Sequence, residues 1–376
     1  MQLSIIILNY NVRYFLELCV LSVQKAIQNI DAEIIVVDNN SPDDSFAMMK
    51  SRFPNVKLIE NKENSGFPKG NNIGVAQAKG EYICILNPDT VVAEDTFIKI
   101  LDFAQKQKNL GIVGCKLIDG TGNFLPESKR GVPTPFVAFT KIFGLYKVSN
   151  YFGKYYAQHL NENETGKVDI LVGAFMVMKR ELYLEVGGFD ENCFMYSDDI
   201  DLSYMVSLKG KSNYYFHETT VIHYKGESTV KDNTYMKRFQ EAMNFFYKKH
   251  FHQSLLFDVF MRFGSFVFSN SKKNKQINKK FLVDEYIFFS KSNSALQYKE
   301  NVFYCNDFKK FTNRKHTNYE IIFDINSFSF NEIISFMEAK KSKNIRFKNY
   351  IANSKYIIGS NSSNDRGEVI LVSDLK

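Results

Sequence analysis

Three apolar runs, Leu3–Leu8, Glu33–Val37 and Glu81–Leu86, each stop at a polar cluster: Asn9-Tyr10-Asn11, Asp38-Asn39-Asn40 and Asn87-Pro88-Asp89. Unbroken runs of Ile, Val and Leu, without in-out alternation, suit strands buried on both faces of a sheet. Helical periodicity fills the gaps. Over 13–29 it runs through Phe15, Leu18, Leu21, Ser22 and Ala26, and it recurs over Gly70–Ala78 and Thr96–Gln107. Ser41-Pro42-Asp43-Asp44 reads as a helix start, with Ser41 as N-cap and Pro42 at the first helical position. Val56–Glu60 and Gly111–Lys116 add further strands. This β-α-β rhythm predicts an α/β fold: a doubly wound, mixed, mainly parallel sheet with flanking helices. Ligands of such sheets bind beyond the carboxyl ends of the strands. All three polar clusters sit at such ends.

The second half is less regular. Residues 120–165 combine Gly, Pro and many aromatics, which suits a mobile cover over a site. Asp169–Lys179 reads as a strand in which Gly173 permits close backbone approach. Ser212–Phe216 and Thr219–His223 read as strands, and 234–250 as a helix. From about residue 281 a second α/β pattern begins, with strands at Asn301–Cys305, Glu320–Asp324, Asn344–Lys348, Tyr356–Ile358 and Glu368–Val372 and a helix at Phe330–Lys340. The small-residue loop after Ile358 is either an anion-binding loop or a plain turn. The expected organisation is a catalytic domain over 1–250, an amphipathic helix and basic linker over 251–280, and a small α/β domain over 281–376.

Composition excludes several classes. The five Cys are scattered and form no C-x-x-C pair, against both a zinc knuckle and a disulfide framework. No basic n-region precedes Ser4–Leu8, so no secretory leader is expected, and no apolar run reaches the ~18 residues of a membrane span. The net charge of +7 is concentrated: 231–316 holds 17 Lys and Arg against 7 Asp and Glu. Within it, Ser254–Phe268 is apolar apart from a stripe of Asp258, Arg262, Ser265 and Ser269. As a helix it reaches ~22 Å, short of a ~30 Å hydrocarbon core. It reads either as a helix lying on an anionic membrane surface, with Lys272, Lys273, Lys275, Lys279 and Lys280 toward the headgroups, or as a helix packed on the C-terminal domain. No nucleic-acid recognition motif accompanies the basic stretch.

The densest chemistry lies at Tyr196-Ser197-Asp198-Asp199-Ile200-Asp201, after Gly187-Gly188-Phe189-Asp190. Carboxylates this close raise one another's pKa. They suit cation binding or proton abstraction, or else simply cap a helix.

In sequence order, these residues resemble the family 2 glycosyltransferases of the GT-A fold, particularly the rhamnosyltransferase-like branch. The matching text is Ser4 to Asn11, Val36 to Ser41, Asn64-Ser65-Gly66-Phe67 with Gly70 to Gly74, Leu86 to Thr90, Gly187 to Leu202, and His223 to Ser228. The resemblance implies an inverting transfer from a nucleotide diphosphate sugar to a lipid-linked glycan acceptor in surface polysaccharide synthesis. It places the protein in the cytoplasm or at the inner face of the cell membrane. Asn9, Tyr10, Asn11, Asp38, Asn40, Gly66, Phe67, Asn71, Asn87 and Gly173 would line the donor pocket, with the glycine-rich stretch 66–74 letting backbone approach the donor. Asp89, with His223, would hold Mg²⁺ or Mn²⁺. Asp199, or its neighbour Asp198, would be the base.

The chain departs from the family pattern in three places. Asn87-Pro88-Asp89 replaces Asp-x-Asp, Asp198 replaces Glu, and Met205 stands near the usual Arg, whose phosphate contact Lys209 or Lys211 would supply. The competing enzyme reading, a nucleotidyltransferase, requires a glycine-rich phosphate loop after the first strand, where Asn9-Tyr10-Asn11-Val12-Arg13 has no glycine. The non-enzyme alternative is a catalytically degenerate binding or scaffold subunit.

Overall fold

The computed structural model describes residues 1–224, 233–251, 281–292, 302–361 and 367–375. The first sheet comprises β1 (Leu3–Asn9), β2 (Ala32–Asp38), β3 (Lys57–Glu60), β4 (Tyr82–Leu86), β5 (Thr90–Val91), β6 (Leu110–Ile118), β7 (Gly166–Val168), β8 (Phe175–Lys179) and β9 (Ser212–His223). Its order is β3-β2-β1-β4-β8-β6-β9-β5, with β7 also paired to β9. Strands β1 to β4, β6 and β9 run one way; β8, β5 and β7 oppose them. This is the mixed, mainly parallel sheet that the sequence predicts.

The buried runs supply both faces in alternation. Ile5 and Ile7 pack with Leu16, Cys19 and Val20 of helix α1 (Arg13–Ala26) and with Met48 and Met49 of α2 (Ser45–Arg52). Ile6 and Leu8 point the other way, toward Val75 of α3 (Gly66–Ala76). The remaining helices are α4 (Thr96–Gln105), α5 (Pro135–Ile142), α6 (Arg180–Glu185), α7 (Asp198–Leu208) and α8 (Asn233–His250). Each fully buried Ile or Leu of β1 contributes roughly 1.5–3 kcal/mol.

Several local expectations change. Helix α2 starts at Ser45, not at Ser41. The Ser41 hydroxyl is used elsewhere, accepting from Asn9 Nδ2 at 2.9 Å and the Asn11 amide at 3.0 Å. β8 starts at Phe175 rather than Asp169, because the preceding stretch pairs sideways through an Arg130–Ile170 bridge. The two strands expected over 212–223 are one strand, its pairing with β6 shifted between Cys115 and Lys116. Gly70 and Gly74 serve packing: a Cβ on either would lie 2.4–2.5 Å from Leu8 or Ile6, so these glycines let α3 press onto β1 rather than approach a donor.

A second sheet has the order β11-β10-β12-β13-β14-β15. Its strands are β10 (Glu285–Phe289), β11 (Val302–Cys305), β12 (Tyr319–Asp324), β13 (Ile345–Ile351), β14 (Tyr356–Gly359) and β15 (Glu368–Leu371). Helix α9 (Phe330–Lys340) covers it, started by a Ser329–Glu332 capping box. β10 has no counterpart in the sequence reading. The two sheets share one apolar cluster: Val12, Phe15 and Leu18 of the first unit pack with Phe323, Phe330 and Tyr356 of the second. Glu94 accepts from the Phe330 and Asn331 amides, and Tyr224 accepts from Asn349. The expected amphipathic segment 254–268 and the lysines after it lie outside the described residues. Among the described residues, no helix is long and apolar enough to cross a membrane.

Candidate functional site

β1 and β2 are paired so that Asn9 sits opposite Asp38, both at the carboxyl end of the sheet. Asn9 Nδ2 donates to Asp38 Oδ1 at 2.8 Å, and the Ser41 amide donates to Asp38 Oδ2 at 3.0 Å. Asp38 is 3% exposed, and these bonds fix its buried carboxylate at the strand end. Asn11 and Asn40 follow with positive φ, 58° and 60°. Asn tolerates the left-handed region at such abrupt strand ends better than most residues. Tyr10 is half-buried beside them.

Asn39 acts as a clamp. It donates to Asn64 and the Gly66 carbonyl and accepts from Asn61 and Ser65. This places Gly66 at φ +79° against Phe194, where a Cβ would lie 2.8 Å from a backbone oxygen. The Phe67 amide donates to the Phe194 carbonyl at 3.0 Å. Asn71 is fully buried and donates to the Phe67 carbonyl at 2.9 Å.

β4 lies beside β1, so Asn87 and Asp89 emerge at the same end. Asp89 Oδ1 is 3.4 Å from His223 Nε2, and Asn87 Nδ2 is 3.4 Å from the same nitrogen. The strand pairing Thr90–His223 sets this juxtaposition. His223 Nδ1 and Asn87 Oδ1 are buried without a hydrogen-bond partner.

The acidic run divides by helical geometry. Asp201, 1% exposed, faces α8, where it meets Lys249 at 2.8 Å and His250 at 2.6 Å. It is a packing residue. Asp199 instead meets Arg130 Nη2 at 2.6 Å and accepts the Gly173 amide at 3.0 Å, both on Oδ2. Its Oδ1 is buried and has no hydrogen-bond partner. Gly173 packs between Asp199 and Phe67, and the next residue, Ala174, accepts the Asn87 amide. Gly173, which meets Asp199, is thus one residue along the chain from the contact with the strand end that carries Asn87 and Asp89. Lys209 lies at the far end of α7, ~16 Å from Asp198 at 1.5 Å per residue. There it pairs with Glu185 at 3.2 Å, which removes it as a phosphate ligand.

Arg130 had no sequence signal. It lies in the motif-free stretch before Gly131, and only the Arg130–Ile170 bridge brings it to the site. Burial works against its charge, but Asp199 and Tyr155 outweigh that and raise its pKa. Tyr155 accepts from both Arg130 and Lys141. Burial would raise the phenol's pKa; the two cations outweigh it and lower it.

Asp198 is pushed up to about 7, first by burial and then by its neighbour Asp199. The sign follows from linkage. Above the unfolded value of ~4, the native state holds a proton that the unfolded chain releases, so stability falls as pH rises from ~4 through about 7. Asp198→Asn should therefore melt higher than wild type at pH 8, with ~4 kcal/mol as an upper bound, by roughly a third of that at pH 5, and converge with it only near pH 4. Equal melting differences at both pH values would refute the assignment.

Residues 4–187 match the family described as Glycosyl transferase family 2. That match ends before Asp198, Asp199 and His223. Over 210 residues the chain is 27% identical to the N-acetylglucosaminyl-diphospho-decaprenol L-rhamnosyltransferase of Mycobacterium tuberculosis, covering 53% of this chain and 68% of that protein. It is also 27% identical over 218 residues to rhamnosyltransferase WbbL of Escherichia coli, covering 54% and 78%. Among solved structures, a mannosyltransferase from Pyrobaculum calidifontis in complex with GDP-Man and Mn2+ is similar in outline, with a TM-score of 0.47 at 18% identity over 71% of this chain and 69% of that one. Through its ordered motifs, the chain carries at residues 4–187 a glycosyl transferase family 2 domain and resembles the rhamnosyltransferase-like branch of that family.

Proposed function

We propose that the protein transfers a sugar from a nucleotide diphosphate sugar to a hydroxyl of a lipid-linked glycan acceptor during synthesis of a cell-surface polysaccharide, with inversion at the anomeric carbon. The carrying observation is Asp199: a carboxylate paired with buried Arg130 on one oxygen, with its other oxygen unpartnered. Such a group can accept a proton from an acceptor hydroxyl. As the hydroxyl oxygen bonds to the anomeric carbon, the bond to the diphosphate breaks and the proton passes to Asp199. A single displacement of this kind inverts the centre.

Asp38, held by Asn9 and Ser41, is placed to accept hydrogen bonds from the nucleoside, with Tyr10, Asn11 and Asn40 at the rim. Gly66, Phe67 and Asn71 would form the facing wall, and Asn87 and Gly173 the floor. The names of the relatives support the acceptor class, since one acts on N-acetylglucosaminyl-diphospho-decaprenol. The cytoplasmic face of the membrane is where such an acceptor and a soluble donor would meet.

The residues at the strand end fit a hard divalent cation in part. Asp89 supplies a carboxylate, and His223 and Asn87 carry buried polar atoms without partners. Among the described residues no third acidic, Cys or His side chain joins them, so the remaining ligands would be diphosphate oxygens and water. A bound Mg²⁺ or Mn²⁺ would neutralise charge building on the departing diphosphate.

Melting the protein with a panel of nucleoside diphosphates, with and without Mn²⁺, tests this reading. One nucleotide should raise the melting temperature, Mn²⁺ should enlarge the shift, and Asp89→Asn should abolish the enlargement. A metal effect that survives Asp89→Asn would remove Asp89 from the metal site. No shift with any nucleotide would sink the donor assignment.

A further inference from the structure

The segment after Arg130 carries a second, exposed chemistry. Phe136, Phe143, Val148 and Tyr151 are 54%, 47%, 83% and 72% exposed and fall within 16 residues of sequence. Lys147 and Lys154 are exposed among them, and Lys141 is half-exposed. No Asp or Glu occurs between Glu127 and Glu162. Exposed aromatics at this density are uncommon on a solvated face, and Lys147 and Lys154, in a segment whose own sequence holds no Asp or Glu, give it a positive charge. Phe, Tyr and Lys together match the headgroup region of a bilayer, where rings enter the acyl boundary and ammonium groups meet lipid phosphates. A protein partner would equally accept the aromatics, but the uniform positive charge favours an anionic sheet of headgroups.

We infer that residues 136–154 dock the protein on an anionic lipid surface, with Phe136, Phe143, Val148 and Tyr151 entering the interface and Lys147 and Lys154 on the headgroups. This rests on the transferase reading only for its purpose, which is to bring the site to a membrane-borne acceptor. The patch is wired to that site through backbone. The Gly131 amide donates to the Lys154 and Tyr155 carbonyls at 3.1 and 3.2 Å, and the residue before Gly131 is the Arg130 that holds Asp199. A surface bound at 136–154 would therefore be joined through Gly131 to the Arg130–Asp199 pair.

Co-sedimentation of the full chain with phosphatidylcholine vesicles, with and without phosphatidylglycerol, tests the proposal without any sugar transfer. Wild type should bind the anionic vesicles and release them at high salt. Lys147→Gln with Lys154→Gln should weaken binding roughly fivefold per lysine, the contribution expected of one basic residue near an anionic leaflet. Phe143→Ser with Tyr151→Ser should weaken it at least as much. Melting of each variant with and without nucleotide checks the fold, and the lysine pair guards against an aromatic variant that fails to fold.

Three outcomes would overturn the proposal: no binding by wild type, unchanged binding by both variants, or loss only when the lysines of 272–280 are replaced. Self-association that buries the patch would overturn it too. Vesicle binding without nucleotide binding would sink the transferase site and leave this surface standing; the reverse would do the opposite.

Discussion

Asp199→Asn should lower sugar transfer ~10³-fold, within the range expected for loss of a general base, while the nucleoside diphosphate still raises the melting temperature as in wild type. The amide keeps the shape of the carboxylate and can still accept from Gly173 through its oxygen. It cannot take a proton, and it no longer neutralises Arg130. Asp198→Asn makes the useful contrast. Asp198 is protonated across much of the neutral range, being pushed up to about 7, so its replacement by a neutral isostere changes less near pH 6. Full activity in Asp199→Asn, with loss confined to Asp198→Asn, would exchange the two roles.

The extent to which this site is legible in sequence follows from how local each part is. Asn9, Asp38, Asn87 and Asp89 lie directly after buried strands, and parallel pairing carries all such ends to one edge. Pattern reading therefore finds them. Asp199 is legible only through its motif, because the turn before α7 has no periodicity. Arg130 is invisible: its neighbours in sequence are Lys129 and Gly131, and its partner is 69 residues away. The run Asp198, Asp199, Asp201 misleads in another way. Residues two apart on a helix diverge by about half a turn, so Asp201 leaves the site and holds α8 instead. Gly70 and Gly74 look like part of a donor loop but are spaced four apart, which places both on one helix face against β1. The second sheet was partly visible in its strand runs. Its attachment was not, because nothing in Val12, Phe15 or Leu18 distinguishes a partner in their own sheet from one 300 residues on.

That attachment makes the second large prediction. Glu17 is 0% exposed in the middle of α1. Arg13 lies 3.1 Å away one turn earlier, and Arg52 of α2 lies at 2.6 Å. From the second unit, the Ser354 hydroxyl donates to Glu17 and Tyr356 packs against Arg13. A buried carboxylate is tolerable only with such partners, and removing it leaves Arg52 without its counter-charge and Arg13 with only the exposed Asp44. Because Arg13 and Arg52 keep 15% and 27% of their side-chain exposure, water can reach them, and the loss should sit at the low end of the buried-pair range, ~3 kcal/mol for Glu17→Ala. At ~2.1 cal/mol/K of unfolding entropy per residue, this lowers the melting temperature by roughly 4 °C. Glu17→Gln should lose less, since it can still accept from Ser354. The form of the transition carries as much information as its midpoint. We propose that residues 281–376 do not melt apart from the first unit, since the two share an apolar cluster through α1. Calorimetry should then give one transition in wild type and in Glu17→Ala. Two resolved transitions in wild type would mean that the shared cluster does not couple the units. Separation only in Glu17→Ala would mean that the ion network, rather than the apolar contacts, joins them.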